Sequence, residues 1–157
     1  EKDWGRSFPS SWVWAQANHF AQPGVSVSIS IARIPWLSGS FVGHIAGLLV
    51  EGRLQRFATY TGSWLAALET WPGSFLAVIR DRSMELEVRG AGGAPGALKA
   101  PVLGAMEGRA DEALGGTVWV RLRELRGFRA VTVFEGAGAH GGIEVMNDRG
   151  ELAPRRS

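Results

Sequence analysis

The stretch WVWAQANHF, residues 12–20, contains the residue types of a binding site for an apolar ligand. If it forms a strand, successive side chains point to opposite faces. One face then carries two indoles, two amides and a phenyl ring, namely Trp12, Trp14, Gln16, Asn18 and Phe20. Desolvated indole faces attract a cation by about 2 kcal/mol or more, and amides orient hydroxyls without adding charge. We therefore expect this face to point inward, as one wall of a pocket.

Carboxyl groups precede these rings. Glu1 and Asp3 stand beside Trp4, ahead of the aromatic stretch. An apolar pocket disfavours the ionised carboxylate, so an acid placed there stays protonated and can donate a proton. Acid, indoles and amides together suit protonation of a carbon–carbon double bond and capture of the resulting carbocation. A plainer interpretation stays open, because tryptophans are often core residues, amides can cap sheet edges and Glu1 can be solvated.

The elements that position these residues have the patterns of strands. Residues 25–31 alternate Val or Ile with Ser, a period of two. The small serine face is either covered by another layer or lines a cavity. We predict hairpins that pair 40–50 with 53–61 around Glu51-Gly52, 74–80 with 84–89, and 117–125 with 128–135, followed by a last strand at 142–147.

Three segments give weaker signals. Residues 90–97 (GAGGAPGA) predict a loop, 108–114 could form one helical turn or two, and 62–71 fit a strand or a short helix. The chain has 157 residues, 22 of them glycine, which suits one domain with many turns. We expect an all-β fold, an antiparallel lipocalin-like barrel or sandwich of about seven to ten short strands.

Composition excludes several classes of protein. The formal net charge is only +2, so nucleic acid is not an expected partner. The absence of cysteine removes disulfides, thiolate catalysis and cysteine-bound metal. No apolar run approaches the ~20 residues that span a bilayer. The compartment is left open, with a cytoplasmic or membrane-peripheral position favoured.

Familiar catalytic motifs are missing or out of context. GAGAHG, residues 136–141, matches G-x-G-x-x-G, but a strand-like segment follows it where a dinucleotide site needs a helix. A turn between strands is the preferred interpretation. His19, His44 and His140 lack ligand-like spacing, and neither a G-x-S-x-G elbow nor a phosphate-binding loop appears. We expect no metal site and no cofactor.

Longer motifs resemble those of one known family. EKDWGRSFPSSWVWAQANHF resembles the tocopherol cyclase signature, E-K-N-W-G, then F-P, then W-x-W-x-Q-x-N, with Asp3 where asparagine is usual. Further matches follow in order at SISIARIP (28–35), RFATYTG (56–62), LKAPVLGAM (98–106) and AHGGIEV (139–145). The resemblance covers nearly the whole chain, so residues 1–157 are interpreted as one β-domain similar to the C-terminal half of a tocopherol cyclase.

The resemblance implies a reaction as well as a fold. The family is similar to lipocalin-like carotenoid hydratases and has two β-domains in a chain about twice this length. Its plant members close the chromanol ring of vitamin E from a phytyl-benzoquinol, without redox cofactor or metal. The implied partners are a hydrophobic prenylated quinol or other isoprenoid, a missing N-terminal β-domain or a homodimer partner, and peripheral contact with a membrane.

Roles are carried over to the matching positions as expectations. Glu1 or Asp3 is the proton donor, and Glu144 in GGIEV is a second candidate carboxylate. The binding residues are Trp4, Trp12, Trp14, Gln16, Asn18 and Phe20, whereas His19 on the opposite face is interpreted as structural. Three alternatives stay open: a binder of isoprenoids or quinones without catalysis, a structural half of a two-domain enzyme, and carbohydrate binding on a tryptophan platform.

Overall fold

The computed structural model describes residues 8–93, 96–102 and 104–152. Glu1, Asp3 and Trp4 lie outside the described residues. The expected all-β fold is confirmed, with eleven antiparallel strands in the described part of the chain. They are β1 (Trp12–Ala17), β2 (His19–Phe20), β3 (Ser26–Trp36), β4 (Gly39–Val50), β5 (Arg53–Ala58), β6 (Trp64–Trp71), β7 (Ser74–Arg80), β8 (Met84–Ala91), β9 (Gly96–Val102), β10 (Ala105–Arg126) and β11 (Arg129–Met146).

The strands form one sheet that must curl. Its order is β5-β4-β3-β1-β11-β10-β8-β7-β6, with β2 added to β11 and β9 to β10. If flat, nine neighbouring strands would place the two edges about 38 Å apart, at about 4.8 Å a step. Yet β5 and β6 are joined only by residues 59–63, which reach about 20 Å when fully extended. The sheet therefore curls, so that its first and last strands lie closer together than in a flat sheet.

Curling gives the sheet a core face and an outer face. The core face buries one large apolar cluster drawn from eight of the strands, including Val13, Ile29, Leu48, Ile79 and Val120, each fully buried. Val27, Ile29 and Ile31 are buried as their alternation with serine predicts. Since alternate residues of a strand face opposite sides, the other half of each strand forms the outer face.

The predicted hairpins are confirmed, with one difference in the turn. Glu51 and Gly52 join β4 to β5, and both have positive φ, 51° and 71°, as a type I′ turn requires. The turn between β10 and β11 is Gly127-Phe128, one residue later than predicted. The predicted last strand, 142–147, is not separate because β11 is continuous to Met146.

Several local predictions are wrong. Residues 108–114 belong to β10 and form no helical turn. GAGAHG is an inner part of β11, paired to β10 and β2, and forms no turn between strands. The loop predicted at 90–97 is shorter, since β8 extends to Ala91 and β9 begins at Gly96. Of the two alternatives for residues 62–71, the strand is confirmed at 64–71, preceded by a 3₁₀ turn at 59–61.

Candidate functional site

The aromatic face of β1 lies on the outer face of the sheet. Val13 and Ala15 are fully buried in the core, while Trp12 is 8% exposed and Trp14 is half-buried. Gln16 is exposed. The expectation that this face points inward is therefore wrong. The small residues of the strand pack in the core. The two large rings pack in a second, smaller cluster on the other face.

Glu144 is held against this aromatic face. The Trp12 indole Nε1 donates a hydrogen bond to Glu144 Oε2 at 2.7 Å, between side chains 132 residues apart in sequence. Pairing between β1 and β11 places Trp14 directly opposite Glu144, and directly opposite residues point to the same face. One carboxyl group thus lies beside two indoles, and it is that of the second candidate carboxylate, since Glu1 and Asp3 lie outside the described residues.

Further apolar side chains complete the surroundings of Trp12. Phe8, Trp14, Ala32 and Met146 pack around it as a cluster separate from the main core. The Phe8 and Trp12 rings meet edge to face, with centroids 5.4 Å apart, an arrangement that aromatic quadrupoles favour. We call Phe8, Trp12, Trp14, Ala32 and Met146 the outer aromatic cluster.

A glycine on β11 makes room for the second indole. A Cβ added to Gly142 would lie 3.0 Å from Cζ3 of Trp14. The ring of Trp14 therefore lies over the backbone of β11 at Gly142, two residues before Glu144. Gly142 is in turn the register partner of Gln16.

A second carboxylate lies next to Glu144. Glu112 of β10 is its register partner on the other side of β11, so both carboxyl groups stand on the outer face. The sequence interpretation missed Glu112 because it assigned residues 108–114 to a possible helical turn, which hides the strand register. In the structure Ala113 is buried between Glu112 and exposed Leu114, but the sequence does not reveal this alternation because Leu114 is apolar like Ala113.

The amides lie next to a pocket on the same face. Gln16 and Asn18 line an open pocket of about 390 Å³ together with Ser26, Ser28 and Leu54. The sequence left open whether the serine face of residues 25–31 is covered by another layer or lines a cavity. In the structure Ser28 is exposed and Ser26 is half-buried. The serines line a cavity and are not covered by another layer of the described chain.

Phe20 is separated from the other predicted binding residues. The strand is interrupted at Asn18, and the following two residues pair with Ala139 and Gly138 of β11. Phe20 then packs against the main core, its ring centroid 6.1 Å from that of Phe134. The alternation that unites Trp12, Trp14 and Gln16 therefore does not extend to Phe20.

A cluster of arginine and glutamate occupies another part of the outer face. Glu85 and Glu87 are only 1% and 4% exposed. Their partners are arginines on three strands, Arg80 and Arg123 for Glu85, and Arg89 and Arg121 for Glu87. Burial alone would raise the pKa of Glu87, but hydrogen bonds from the two arginines and their charges hold it below its usual range.

The histidines are used in different ways. His19 is exposed and meets His140 edge to face, with centroids 5.5 Å apart. His44 is buried, with Nε2 2.8 Å from Ser63 Oγ, and burial lowers its pKa. No group of three or more His, Cys, Asp or Glu placed to share a metal ion occurs among the described residues. The part of the chain that the structure describes contains no helix long and apolar enough to cross a membrane.

These features define a class of protein: a curled all-β domain whose outer face joins indoles, carboxylates and an amide-lined pocket. Within that class, the chain belongs to the tocopherol cyclase-like family, whose model matches residues 1–147. The motifs that resembled this family in sequence therefore identified it correctly.

Two curated plant proteins are similar to the chain over part of its length. A probable chloroplastic tocopherol cyclase of Oryza sativa subsp. japonica is 28% identical over 110 residues, 66% of this chain and 23% of that protein. A chloroplastic tocopherol cyclase of Zea mays is 35% identical over 72 residues, 41% of this chain and 15% of that protein. The aligned part thus spans less than a quarter of these relatives. No solved structure matches the chain.

Proposed function

We propose that this chain is a β-domain of a longer enzyme that closes the chromanol ring of a prenylated benzoquinol by acid catalysis. The observation that carries the proposal is the hydrogen bond of 2.7 Å between Trp12 Nε1 and Glu144 Oε2 inside an aromatic cluster. The similarity to plant tocopherol cyclases supports the reaction class. The phytyl group is the prenyl chain that those relatives suggest.

The proposed step is an isomerisation with no net gain or loss of atoms. A carboxyl group donates a proton to the prenyl double bond, which leaves a tertiary carbocation. The phenol oxygen then bonds to that carbon, and the phenolic proton returns to a base. Neither a redox partner nor a metal is needed for this balance, so the protein's task is to position the acid, protect the cation and orient the phenol.

In this proposal, Glu144 is the proton donor and Trp12 fixes its orientation through the indole N–H. The face of Trp14 stabilises the carbocation electrostatically. Glu112, the register partner of Glu144, is a nearby carboxylate that can accept the phenolic proton and pass it to Glu144, which restores the acid for the next turnover. Glu1 or Asp3 as alternative donors, with Trp4 in the wall, remain proposals that rest on the family motif.

Gln16 and Asn18 are proposed to orient the phenol in their pocket. Gln16 follows Trp14 on the same strand face, which places the two side chains about 7 Å apart along the strand. A quinol ring held by the amides would therefore bring the first prenyl double bond close to Trp14 and Glu144. Phe20 is not included, because it packs against the core.

The test is chromanol formation from a phytyl-benzoquinol by the protein that carries this chain. Glu144→Gln keeps an acceptor for the Trp12 N–H but removes the acidic proton, and we expect turnover to fall at least about 100-fold, the usual contribution of a positioned acid. Glu69→Gln, an exposed carboxylate on β6, is the matched control and should keep full turnover. Equal turnover in both variants would exclude Glu144 as the donor.

A second candidate function is binding of a quinone or isoprenoid without catalysis. The observation in its favour is that two open pockets, of about 390 and 330 Å³, lie on the same outer face, within the usual range for small-molecule sites. Quenching of tryptophan fluorescence by the quinol, with no chromanol in any condition, would support binding alone.

A further inference from the structure

The hairpin between β3 and β4 projects beyond its neighbours. Pairing of β1 with β3 ends at Ala32, and β5 pairs with β4 only from Ile45 onward. Among the described residues, the pairs from Ile34 and Phe41 to Trp36 and Gly39 have backbone partners only in each other. Three such pairs extend about 10 Å at ~3.4 Å a residue. We call residues 34–41 the hairpin tip.

The hairpin tip is apolar and uncharged. Its sequence is IPWLSGSF, and Arg33 is the only lysine, arginine, aspartate or glutamate between residues 25 and 50. Trp36 is 65% exposed and Leu37 is 94% exposed. Exposed apolar groups that cluster in this way are typical of an interaction site. Tryptophan in particular favours the boundary between water and lipid, where its ring is shielded and its N–H stays hydrated.

The hairpin tip is continuous with an apolar pocket. Ile34 and Phe41 of the tip also line the pocket of about 330 Å³, together with Ala32 and Gly43. The ring of Trp36 meets that of Phe41 edge to face, with centroids 6.5 Å apart. Ala32 in turn packs in the outer aromatic cluster as the register partner of Trp12. One apolar surface thus extends from the tip to the candidate acid.

Backbone hydrogen bonding limits how deep such a hairpin can lie. Its two strands bond to each other, but their outward N–H and C=O groups face no strand in the described chain. Those groups need water or headgroups, since an unbonded backbone group in hydrocarbon is costly. A length of about 10 Å matches the depth of about 5–10 Å to which interfacial segments are buried.

We propose that the hairpin tip docks into the interfacial layer of a lipid bilayer, so that the apolar pocket opens toward the lipid. The binding partner is a bilayer surface, because the hairpin tip carries no charged residue, is long enough to reach interfacial depth and presents a tryptophan beside a fully exposed leucine. Delivery of a prenylated substrate from the lipid to Glu144 would rest on the proposed function. The docking itself does not.

Leu37→Gly is the decisive variant because it removes the apolar side chain without harming the turn. Leu37 has φ of 51°, a left-handed conformation that glycine adopts more easily. The variant should therefore keep or raise the melting temperature. Phe128→Ser is the matched control, since Phe128 is a fully exposed ring in the β10–β11 turn, at the other end of the sheet.

The assay is flotation of the protein with vesicles of phosphatidylcholine, alone or mixed with phosphatidylglycerol. We expect wild-type protein to float with both, Leu37→Gly to bind about tenfold more weakly, and Trp36→Ser/Leu37→Gly not to float. Phe128→Ser should bind as wild type. Brominated lipids should quench wild-type tryptophan fluorescence more than that of Trp36→Phe.

Three results would overturn the docking proposal: no flotation of the wild type, equal flotation of wild type and Leu37→Gly, or loss of flotation in Phe128→Ser. Conversion of a dimer to a monomer by Leu37→Gly, without vesicles, would assign the tip to a second copy of the chain instead. Glu144→Gln should float normally. Chromanol formation in detergent micelles by a protein that does not float would refute docking and leave the proposed function standing.

Discussion

The hydrogen bond between Trp12 and Glu144 makes a quantitative prediction for stability. A hydrogen bond from an N–H group to a neutral carboxyl group, the form that the proposed proton donor needs, contributes about 0.5–1.5 kcal/mol, and Glu144 is half-buried. Trp12→Phe also loses roughly 1 kcal/mol of burial, at ~25 cal/mol for each Å² over roughly 40 Å². The single variant should therefore lower the free energy of unfolding by about 1.5–2.5 kcal/mol.

A double-mutant cycle isolates the bond from the loss of packing. Trp12→Phe, Glu144→Ala and the double variant are compared by urea unfolding, with the coupling energy taken from the difference. We expect a coupling of about 0.5–1.5 kcal/mol. In a thermal scan, each kcal/mol corresponds to about 2–4 °C for a chain of this size. Additivity within about 0.3 kcal/mol would refute the claim that Trp12 holds Glu144, and with it the geometry of the proposed acid.

Three further predictions concern packing and pH. Gly90→Ala should lower the free energy of unfolding by about 1–3 kcal/mol, because its Cβ would lie 2.8 Å from Cδ1 of buried Phe75. Burial lowers the pKa of His44 below its ordinary 6.5, so the unfolded chain binds more protons as pH falls, and the melting temperature should drop below pH 6.5 more steeply than in His44→Gln. Gly142→Ala should displace Trp14, shifting tryptophan emission and weakening quinol quenching with under about 1 kcal/mol of destabilisation.

Each of these predictions has a contrary result. Gly93→Ala, where a Cβ meets nothing within 4 Å, is the control for Gly90, and equal melting temperatures would exclude the clash with Phe75. Parallel pH profiles of wild type and His44→Gln would show that His44 is not the titrating group. Unchanged emission and quenching in Gly142→Ala would mean that Trp14 does not lie over the β11 backbone in solution.

Hairpins and the core pattern could be predicted because they depend on local sequence. The alternation at residues 25–31 and the Glu51-Gly52 turn are fixed by neighbours a few residues away. The direction of the aromatic face could not be predicted. Both faces of β1 carry apolar side chains. The period of two therefore separates the faces but does not show which of them packs against the core. Val13 and Ala15 fit the interior because they are small, and this depends on the strands packed against them.

Glu112 and Phe20 show a second limit. Glu112 joins the site only through the register of β10 on β11, which two irregularities between Ala113 and Val118 shift. Phe20 leaves it because the strand is interrupted at Asn18. A shift of one residue moves every side chain to the opposite face, so a pattern extended over nine residues fails wherever a bulge or break intervenes. Glu144 was found through the family motif, not through strand period.

The sequence separation of 132 residues between Trp12 and Glu144 has a consequence for synthesis. The pairing of β10 with β11 closes a short loop, whereas β1 must wait for the far end of the chain, and distant contacts form late because their loop closure costs more entropy. During translation the first strand leaves the ribosome long before the carboxyl group that its indole binds. Glu144 can therefore meet the indole of Trp12 only in a finished domain, so an incomplete chain would carry the aromatic residues without the carboxyl group that we propose as the proton donor.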